Sequence, residues 1–185
     1  IFIVGCNQVS PLEEINWHEQ GLQNSSDFVS ASISLPLSGT HPITAYIQDR
    51  FLKFQGDILL AEVSSDVQAT YVAKLWENNT IPYTIHPGIS KKVRKHIFKA
   101  IKSYNKDTTL KWIKRTTEED YVEFKPSSSC ASYVGRRGGK QPILLADYCS
   151  YSAALHEMGH ALGFQHEQTR SDRDKAVKIH WDNIP

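Results

Sequence analysis

The stretch HEMGHALGFQH, at residues 156–166 of the 185-residue chain, restricts the fold more than any other part of the sequence. On a helix with 3.6 residues per turn, His156 and His160 project from one face and can bind the same metal ion. Gly163 can adopt a positive φ, so the helix can end there and the chain can turn to bring His166 back to the metal. Three nitrogen ligands with one open position are typical of a catalytic zinc site, whereas structural zinc sites have four protein ligands.

Glu157 directly follows the first of these histidines. From that position its carboxylate can reach the open side of the metal and take a proton from a water molecule. Histidines on an amphipathic helix are often only core or surface residues, but five fixed identities in eleven positions argue against that interpretation here. The pattern H-E-x-x-H-x-x-G-x-x-H is the metzincin signature.

The composition excludes several classes of partner. Apolar residues make up 40% of the chain and charged residues 22%, which is ordinary for a globular protein. A formal net charge of +1 gives no reason to expect nucleic acid or an anionic membrane as a partner. No apolar run approaches the roughly 18–20 residues that span a bilayer, so we expect no transmembrane segment.

The first six residues, IFIVGC, resemble the end of the apolar region of a signal peptide. Residues 3–6, IVGC, also resemble a bacterial lipobox. We therefore expect a secreted protein, which would be lipid-anchored at Cys6 if the lipobox is used. The other cysteines are Cys130 and Cys149, so one thiol remains after any single pairing.

Residues 7–53 are polar and lack a sustained apolar period, which predicts an extended arm rather than a self-sufficient domain. The density of apolar residues rises between residues 46 and 63, on both sides of the sequence Gln55-Gly56-Asp57. Glycine in this position indicates a turn. We interpret the region as an apolar run broken by a turn, which could lie in a cleft.

From residue 81 onward, strand and helix patterns are clearer. Strands are predicted at residues 81–86, 110–113, 121–124, 130–135 and 141–145. Ser90 is a candidate N-cap for a helix that extends to about Tyr104. The basic residues of this helix mostly lie opposite its apolar face, so we interpret them as solvated rather than as a nucleic-acid patch. A second helix, at about residues 150–162, carries the histidine motif.

Pro142 favours an edge position for the strand at residues 141–145, because proline cannot donate a hydrogen bond to a neighbouring strand. An edge strand can pair with an extended peptide. Ile143, Leu144 and Leu145 are therefore predicted to align a peptide substrate. Together these elements predict an α+β fold: a zincin-like N-terminal lobe with a twisted mixed sheet, a backing helix and a zinc-binding helix, preceded by an extended segment.

Three further stretches resemble the astacin family of metzincin zinc endopeptidases. After His166 the chain continues EQTRSDRD at residues 167–174, which is similar to the family's H-E-x-x-R-x-D-R-D. RTTEEDYV at residues 115–122 resembles R-T-T-x-x-D-Y-V, and CASYVG at residues 130–135 resembles C-x-S-x-V-G. The resemblance covers residues 76–184 and is to a bacterial-type proenzyme form of the family.

The resemblance implies roles for individual residues. It makes Zn²⁺ the cofactor and Glu157 the general base and acid. It implies a disulfide between Cys130 and Cys149, ahead of the metal helix, and makes Glu167 the residue that receives the amino terminus of the mature enzyme. The zinc ligands that it implies are His156, His160 and His166.

The resemblance also implies a latent form. Residues 1–65 are expected to be an extended, inhibitory prosegment, and residues 66–185 the N-terminal lobe of a catalytic domain, ending before the family's Met-turn. FQGD at residues 54–57 resembles the family's F-x-G-D, whose aspartate, here Asp57, can occupy the open zinc position. Cys6 is the alternative ligand, because a thiolate binds zinc strongly. We favour Cys6, whose apolar flank needs a place to dock, and keep Asp57 as the alternative.

We therefore predict a secreted zinc metalloendopeptidase that hydrolyses peptide bonds in protein substrates and is kept latent by its own prosegment. An activating protease would remove the prosegment. No Lys or Arg lies between Asp57 and Ala73, so a trypsin-like cut there is not expected. The alternative function is a catalytically inactive, zinc-containing binding or scaffold protein. The intact Glu157 argues against this alternative, because zinc binding alone does not require a glutamate there.

Overall fold

A computed structural model of the chain describes residues 28–35, 39–48, 50–62, 74–167, 173–175 and 177–180. The first four strands are β1 (Phe28–Leu35), β2 (Gly39–Gln48), β3 (Phe51–Phe54) and β4 (Ile58–Glu62). The later strands are β5 (Thr80–Ile85), β6 (Lys111–Lys114), β7 (Tyr121–Pro126), β8 (Ala131–Tyr133) and β9 (Lys140–Leu145). The two α-helices of the described residues are α1 (Lys91–Asp107) and α2 (Tyr151–Ala161). Within these residues, no helix combines the length and apolar character needed to cross a membrane.

The strands of the described residues form one mixed sheet, in the order β1-β2-β3-β4-β8-β9-β7-β5-β6. Each of the strands β1 to β4 pairs antiparallel with the next one along the chain. Strands β9, β7, β5 and β6 pair in parallel, and β8 runs antiparallel to β9. Between these two parts, β4 pairs in parallel with β8 at Ile58–Ser132 and Leu59–Tyr133. The result is the α+β, zincin-like fold that the sequence predicts.

Helix α1 covers the core as its apolar period predicts. The Ser90 side chain accepts a hydrogen bond from the Val93 amide at 3.3 Å, which caps the first turn. Val93 and Ile97 are buried against the sheet and α2, whereas the basic residues Lys91, Lys92, Lys95, Lys99 and Lys102 are exposed. This arrangement confirms the predicted amphipathic helix with a solvated basic face.

The prediction that Ile143, Leu144 and Leu145 form a substrate edge strand is wrong. They belong to β9, which pairs with β7 on one side and with β8 on the other, and all three are buried, at 0%, 1% and 1% exposed. Proline is tolerated here because β8 pairs with β9 only at Ile143 and Leu144, so Pro142 lies beyond the end of that ladder. The side of β8 away from β9 is where a further strand can be added, and β4 occupies it.

The described part of the N-terminal segment is more regular than the extended arm that its polarity predicts. β3 and β4 form a hairpin around Gln55, Gly56 and Asp57, and we call Phe51–Glu62 the β3–β4 hairpin. Its turn has positive φ at Gln55 (53°) and Gly56 (96°). A register irregularity lies between Leu52 and Lys53. The turn points Asp57 toward the later part of the chain, where its carbonyl accepts a hydrogen bond from the Ser132 amide at 2.9 Å.

A disulfide joins Cys130 to Cys149, as the family resemblance implies, with an S–S distance of 2.05 Å. Cys130 immediately precedes β8, and Cys149 lies two residues before α2. The bond therefore ties the start of the strand that receives β4 to the start of the helix that carries the histidine motif.

Candidate metal centre and active site

Helix α2 presents the first two histidines together. The Ser150 hydroxyl accepts a hydrogen bond from the Ala153 amide at 3.2 Å and so caps the helix ahead of His156. His156 and His160 are one helical turn apart, and their Nε2 atoms lie 3.0 Å from each other. The sequence prediction that both histidines face one point is confirmed.

The third histidine returns through a tight helix end. Gly163 has a φ of 107°, in the region that favours glycine. The Gly163 amide donates to the carbonyl of His160 at 2.8 Å and the Phe164 amide donates to the carbonyl of Gly159 at 3.1 Å, so the helix stops within one turn. His166 then places its Nε2 3.2 Å from the Nε2 of His156 and 3.2 Å from that of His160.

The second ring nitrogens show which tautomers are present. Nδ1 of His160 lies 2.7 Å from the carbonyl oxygen of Phe164, and Nδ1 of His166 lies 3.1 Å from Oε1 of Gln55. Each Nδ1 donates its proton to one of these oxygens, which leaves Nε2 as the nitrogen available to a metal. Burial, the largest cause, lowers the pKa of His160 to about 4, which keeps this ring neutral. Three imidazole nitrogens that converge in this way are suited to binding a cation.

The donor set fits zinc. For four ligands arranged tetrahedrally at zinc–nitrogen distances of about 2.0–2.1 Å, ligand atoms are separated by roughly 3.3 Å. The three Nε2 atoms are 3.0–3.2 Å apart, close to that value. Histidine nitrogens whose other nitrogen donates to a protein oxygen are also the usual zinc ligands.

Asp57 places its carboxylate beside the three histidine nitrogens. Its Oδ1 lies 3.0 Å from Nε2 of His166 and 3.8 Å from Nε2 of His160, and its Oδ2 lies 3.1 Å from Nε2 of His156. The four candidate ligand atoms are all within 4.8 Å of one another. Burial raises the pKa of Asp57, but the hydrogen bond with His156 and the charge of the imidazoles outweigh it, so the net direction is downward.

The rival ligand Cys6 lies outside the described residues. Asp57 was the less favoured of the two alternatives from sequence, and it is the one that the structure places beside the histidines. The hydrogen bond between Gln55 and His166 was not anticipated, although Gln55 stands inside the FQGD stretch that pointed to this turn. Glu167, the predicted acceptor of a mature amino terminus, is exposed and directly follows the third histidine.

Glu157 lies within the same site but is buried, with 1% of its surface exposed. Among the described residues its Oε2 has no hydrogen-bond partner. Burial is the main cause that raises its pKa to about 9; the nearby Asp57 carboxylate adds to the shift and the Lys53 ammonium opposes it. These influences favour the protonated form of the Glu157 carboxyl in this arrangement.

Comparison with known proteins identifies the family. The model of the astacin peptidase family matches residues 68–185. The chain belongs to the astacin family. The metal of this family is zinc, in agreement with the donor set described above.

Individual relatives agree with this assignment. Zinc metalloproteinase nas-13 of Caenorhabditis elegans is 43% identical over 120 residues, which cover 64% of this chain and 26% of that protein. Astacin-like metalloprotease toxin 1 of Loxosceles intermedia is 41% identical over 117 residues, covering 62% of this chain and 44% of that protein. This astacin-family chain therefore spans less than half the length of these two relatives.

A hatching enzyme zinc-protease, high choriolytic enzyme 1 of Oryzias latipes, aligns with the whole chain. It is 31% identical over 193 aligned positions, which cover 100% of this chain and 69% of that protein. Its solved structure matches with a TM-score of 0.53 and 38% identity, over 61% of this chain and 58% of that chain. The similarity supports both the zincin-like fold and the astacin assignment.

Proposed function

We propose that this chain belongs to a secreted zinc metalloendopeptidase and represents its latent form, in which residues 1–65 act as an inhibitory prosegment. One observation carries the proposal: three histidine Nε2 atoms and the Asp57 carboxylate converge on one point beside the buried Glu157. Relatives named as a hatching enzyme and as a toxin support export. Cys6 remains a rival for the fourth position, and lipid attachment there would anchor the protein.

In the active form, His156, His160 and His166 would hold the zinc. Bound zinc supplies Lewis acidity, which polarises the scissile carbonyl and makes water easier to deprotonate. Glu157 would take a proton from the attacking water and deliver it to the leaving amine. That role requires an ionised carboxylate.

Departure of the β3–β4 hairpin would prepare Glu157 for this role. It removes the Asp57 charge and admits solvent, the two influences that raise the pKa of Glu157. It also frees the side of β8 that β4 occupies, at Ser132 and Tyr133. A peptide substrate would pair with β8 there by adding a strand to the sheet. The prosegment and a bound substrate would thus contact the same two surfaces, the metal centre and the side of β8 that β4 occupies.

The test is to assay zinc-loaded full-length protein on casein before and after residues 1–65 are removed at an engineered cleavage sequence near residue 65. We expect low activity before removal, high activity after it, and none with a chelator. Glu157→Gln should retain zinc but lower the activity of the cleaved enzyme by about 10²–10⁴-fold, because the proton acceptor is lost.

Glu119→Gln is the matched control, since Glu119 is an exposed carboxylate elsewhere on the lobe, and it should behave as the wild type. Substantial activity of the Glu157→Gln enzyme would contradict the assigned mechanism. Absence of any chelator-sensitive activity after cleavage would favour the inactive, zinc-containing scaffold protein. Equal activity before and after cleavage would contradict latency.

A further inference from the structure

Lys53, in the β3–β4 hairpin, is an unusual residue because its side chain is completely buried, at 0% exposed. Lysine is almost never fully buried unless its charge is paired or hydrogen-bonded. The register irregularity between Leu52 and Lys53 lies at this residue, and such irregularities redirect side chains. We therefore expect the buried ammonium to have specific hydrogen-bond partners.

One hydrogen-bond partner of Lys53 lies in the later part of the chain, beyond the pairing of β4 with β8. The ammonium of Lys53 donates a hydrogen bond to Oγ of Ser129, which precedes β8, and another to Oε1 of Gln48 at 3.0 Å. Gln48 in turn donates to Oγ of Ser128 at 3.1 Å. Ser129 is itself buried, at 8% exposed. The hairpin thus inserts a cation into a polar pocket of the lobe.

The pocket lies beside the catalytic centre. Ser129 lies three residues before Ser132, whose amide donates a hydrogen bond to the carbonyl of Asp57 at 2.9 Å. The hairpin that carries Lys53 also covers β8, the strand on which a peptide substrate would pair. Lys53 reaches the pocket from β3, the strand beyond β4. A long side chain of a peptide that replaces β4 on β8 could reach the same pocket from the nearer strand position.

We propose that Ser129 forms an ammonium-binding subsite of the enzyme, which Lys53 fills in the latent form and a lysine side chain of a protein substrate fills after release. The proposal rests on the function proposed above. In the latent form the subsite is a second anchor that positions the hairpin and keeps Asp57 at the metal. In the released form Gln48 leaves with the hairpin, and the Ser129 hydroxyl remains as the acceptor.

The first experiment measures latency in zinc-loaded full-length protein, as the ratio of casein activity before and after removal of residues 1–65. Lys53→Met keeps the length of the side chain but loses the ammonium. We expect its ratio to rise on the order of tenfold or more, the effect of losing hydrogen bonds from a charged group. Lys53→Arg should restore part of the latency. Arg50→Met, which removes an exposed cation of the same segment, should leave the ratio unchanged.

The second experiment uses the released enzyme and peptide pairs that differ only by lysine or norleucine at each position around the scissile bond. We expect one position at which lysine raises kcat/KM about tenfold, and loss of this preference in Ser129→Ala. Ser128→Ala is the matched control and should keep the preference, because it removes the neighbouring hydroxyl, which accepts from Gln48, and leaves that of Ser129 in place. Zinc content and activity on the norleucine peptide report whether Ser129→Ala has folded.

The outcomes separate this proposal from the one on which it rests. Asp57→Ala serves as the reference for latency. If Lys53→Met stays as latent as the wild type while Asp57→Ala leaks, the subsite proposal is overturned and the prosegment proposal stands. If no position shows a lysine preference that Ser129→Ala removes, the subsite proposal is also overturned. If Asp57→Ala also stays fully latent, the result contradicts the proposed role of Asp57 at the metal.

Discussion

At the scale of single residues, the environment of Glu157 controls the protonation of its carboxyl group. It is buried, one of its oxygens has no hydrogen-bond partner among the described residues, and a second carboxyl stands nearby. A buried carboxyl without such partners is much less costly when protonated. Its protonation state is therefore set by what covers it.

This leads to a prediction for the metal-free full-length protein between pH 7 and 9. The folded-state pKa of Glu157, about 9, lies above its ordinary value of 4.5, so in this window the folded state binds more protons than the unfolded state. The contribution of Glu157 to stability is complete below its unfolded pKa and is lost as pH rises toward 9. The free energy of unfolding should fall by up to about 1.4 kcal/mol per pH unit.

Glu157→Gln should remove this fall, and denaturant titrations at several pH values measure it. His160 does not interfere, because its pKa is lowered to about 4 in the folded state and the ring is neutral in both states over most of this range. Parallel pH profiles for wild type and variant would show that Glu157 is already ionised in the folded, metal-free protein.

The same residues show how much of the candidate site can be predicted from the sequence alone. The positions of His156, His160, His166 and Glu157 were predictable because helix periodicity and one glycine determine their geometry locally. The choice between Cys6 and Asp57 was not, because either could reach the metal only through long-range folding. Lys53 gave no signal, since a lysine between apolar residues is usually solvated at its tip.

At the scale of secondary-structure elements, the strands and helices were largely predictable but their neighbours were not. The strand at residues 141–145 was found, yet Pro142 suggested an edge, and β9 lies inside the sheet. The element that accepts β4 is β8, only three residues long. Alternation over so short a stretch carries little information about pairing. Local patterns therefore located the elements, whereas the order of strands depends on contacts between distant parts of the chain.

The packing of α1 on α2 gives a prediction that depends on one close contact. A Cβ added at Gly159 would lie 3.3 Å from the hydroxyl oxygen of Tyr104. That hydroxyl donates a hydrogen bond to the carbonyl of Leu155 at 3.0 Å, and burial, the first cause, raises its pKa to about 12. The hydroxyl cannot move away without losing this bond. Gly159→Ala should therefore lower the free energy of unfolding by about 1 kcal/mol, despite the better helix propensity of alanine.

Tyr104→Phe removes the obstructing oxygen, and in that background Gly159→Ala should become neutral or stabilising, by up to about 1 kcal/mol. A double-mutant cycle in denaturant, on metal-free full-length protein, measures the difference. The same effect of Gly159→Ala in both backgrounds would mean that the contact with Tyr104 does not limit this position.

At the scale of the whole molecule, the N-terminal segment and the later part of the chain share one sheet. They join through two residue pairs between β4 and β8. The hairpin adds the contacts of Asp57 and Gln55 with the histidines and the hydrogen bond of Lys53 to Ser129. Because the hairpin pairs with β8 and also contacts the histidines of α2, it links the positions of these two elements. Sequence patterns could not reveal it, because a parallel pairing between distant strands leaves no local signature.

The Cys130–Cys149 disulfide links β8 covalently to α2 and gives the last prediction. It spans 19 residues between the start of β8 and the start of α2. A loop of this size restricts the unfolded chain, so replacing both cysteines by alanine should lower the free energy of unfolding by about 3 kcal/mol. Denaturant unfolding of the zinc-free protein measures this, and a reducing agent should destabilise the wild type by a similar amount while leaving the double variant unchanged. An equally stable variant would mean that β8 and α2 are held together by packing alone, since Cys149 is buried in the core and alanine keeps most of its apolar contacts.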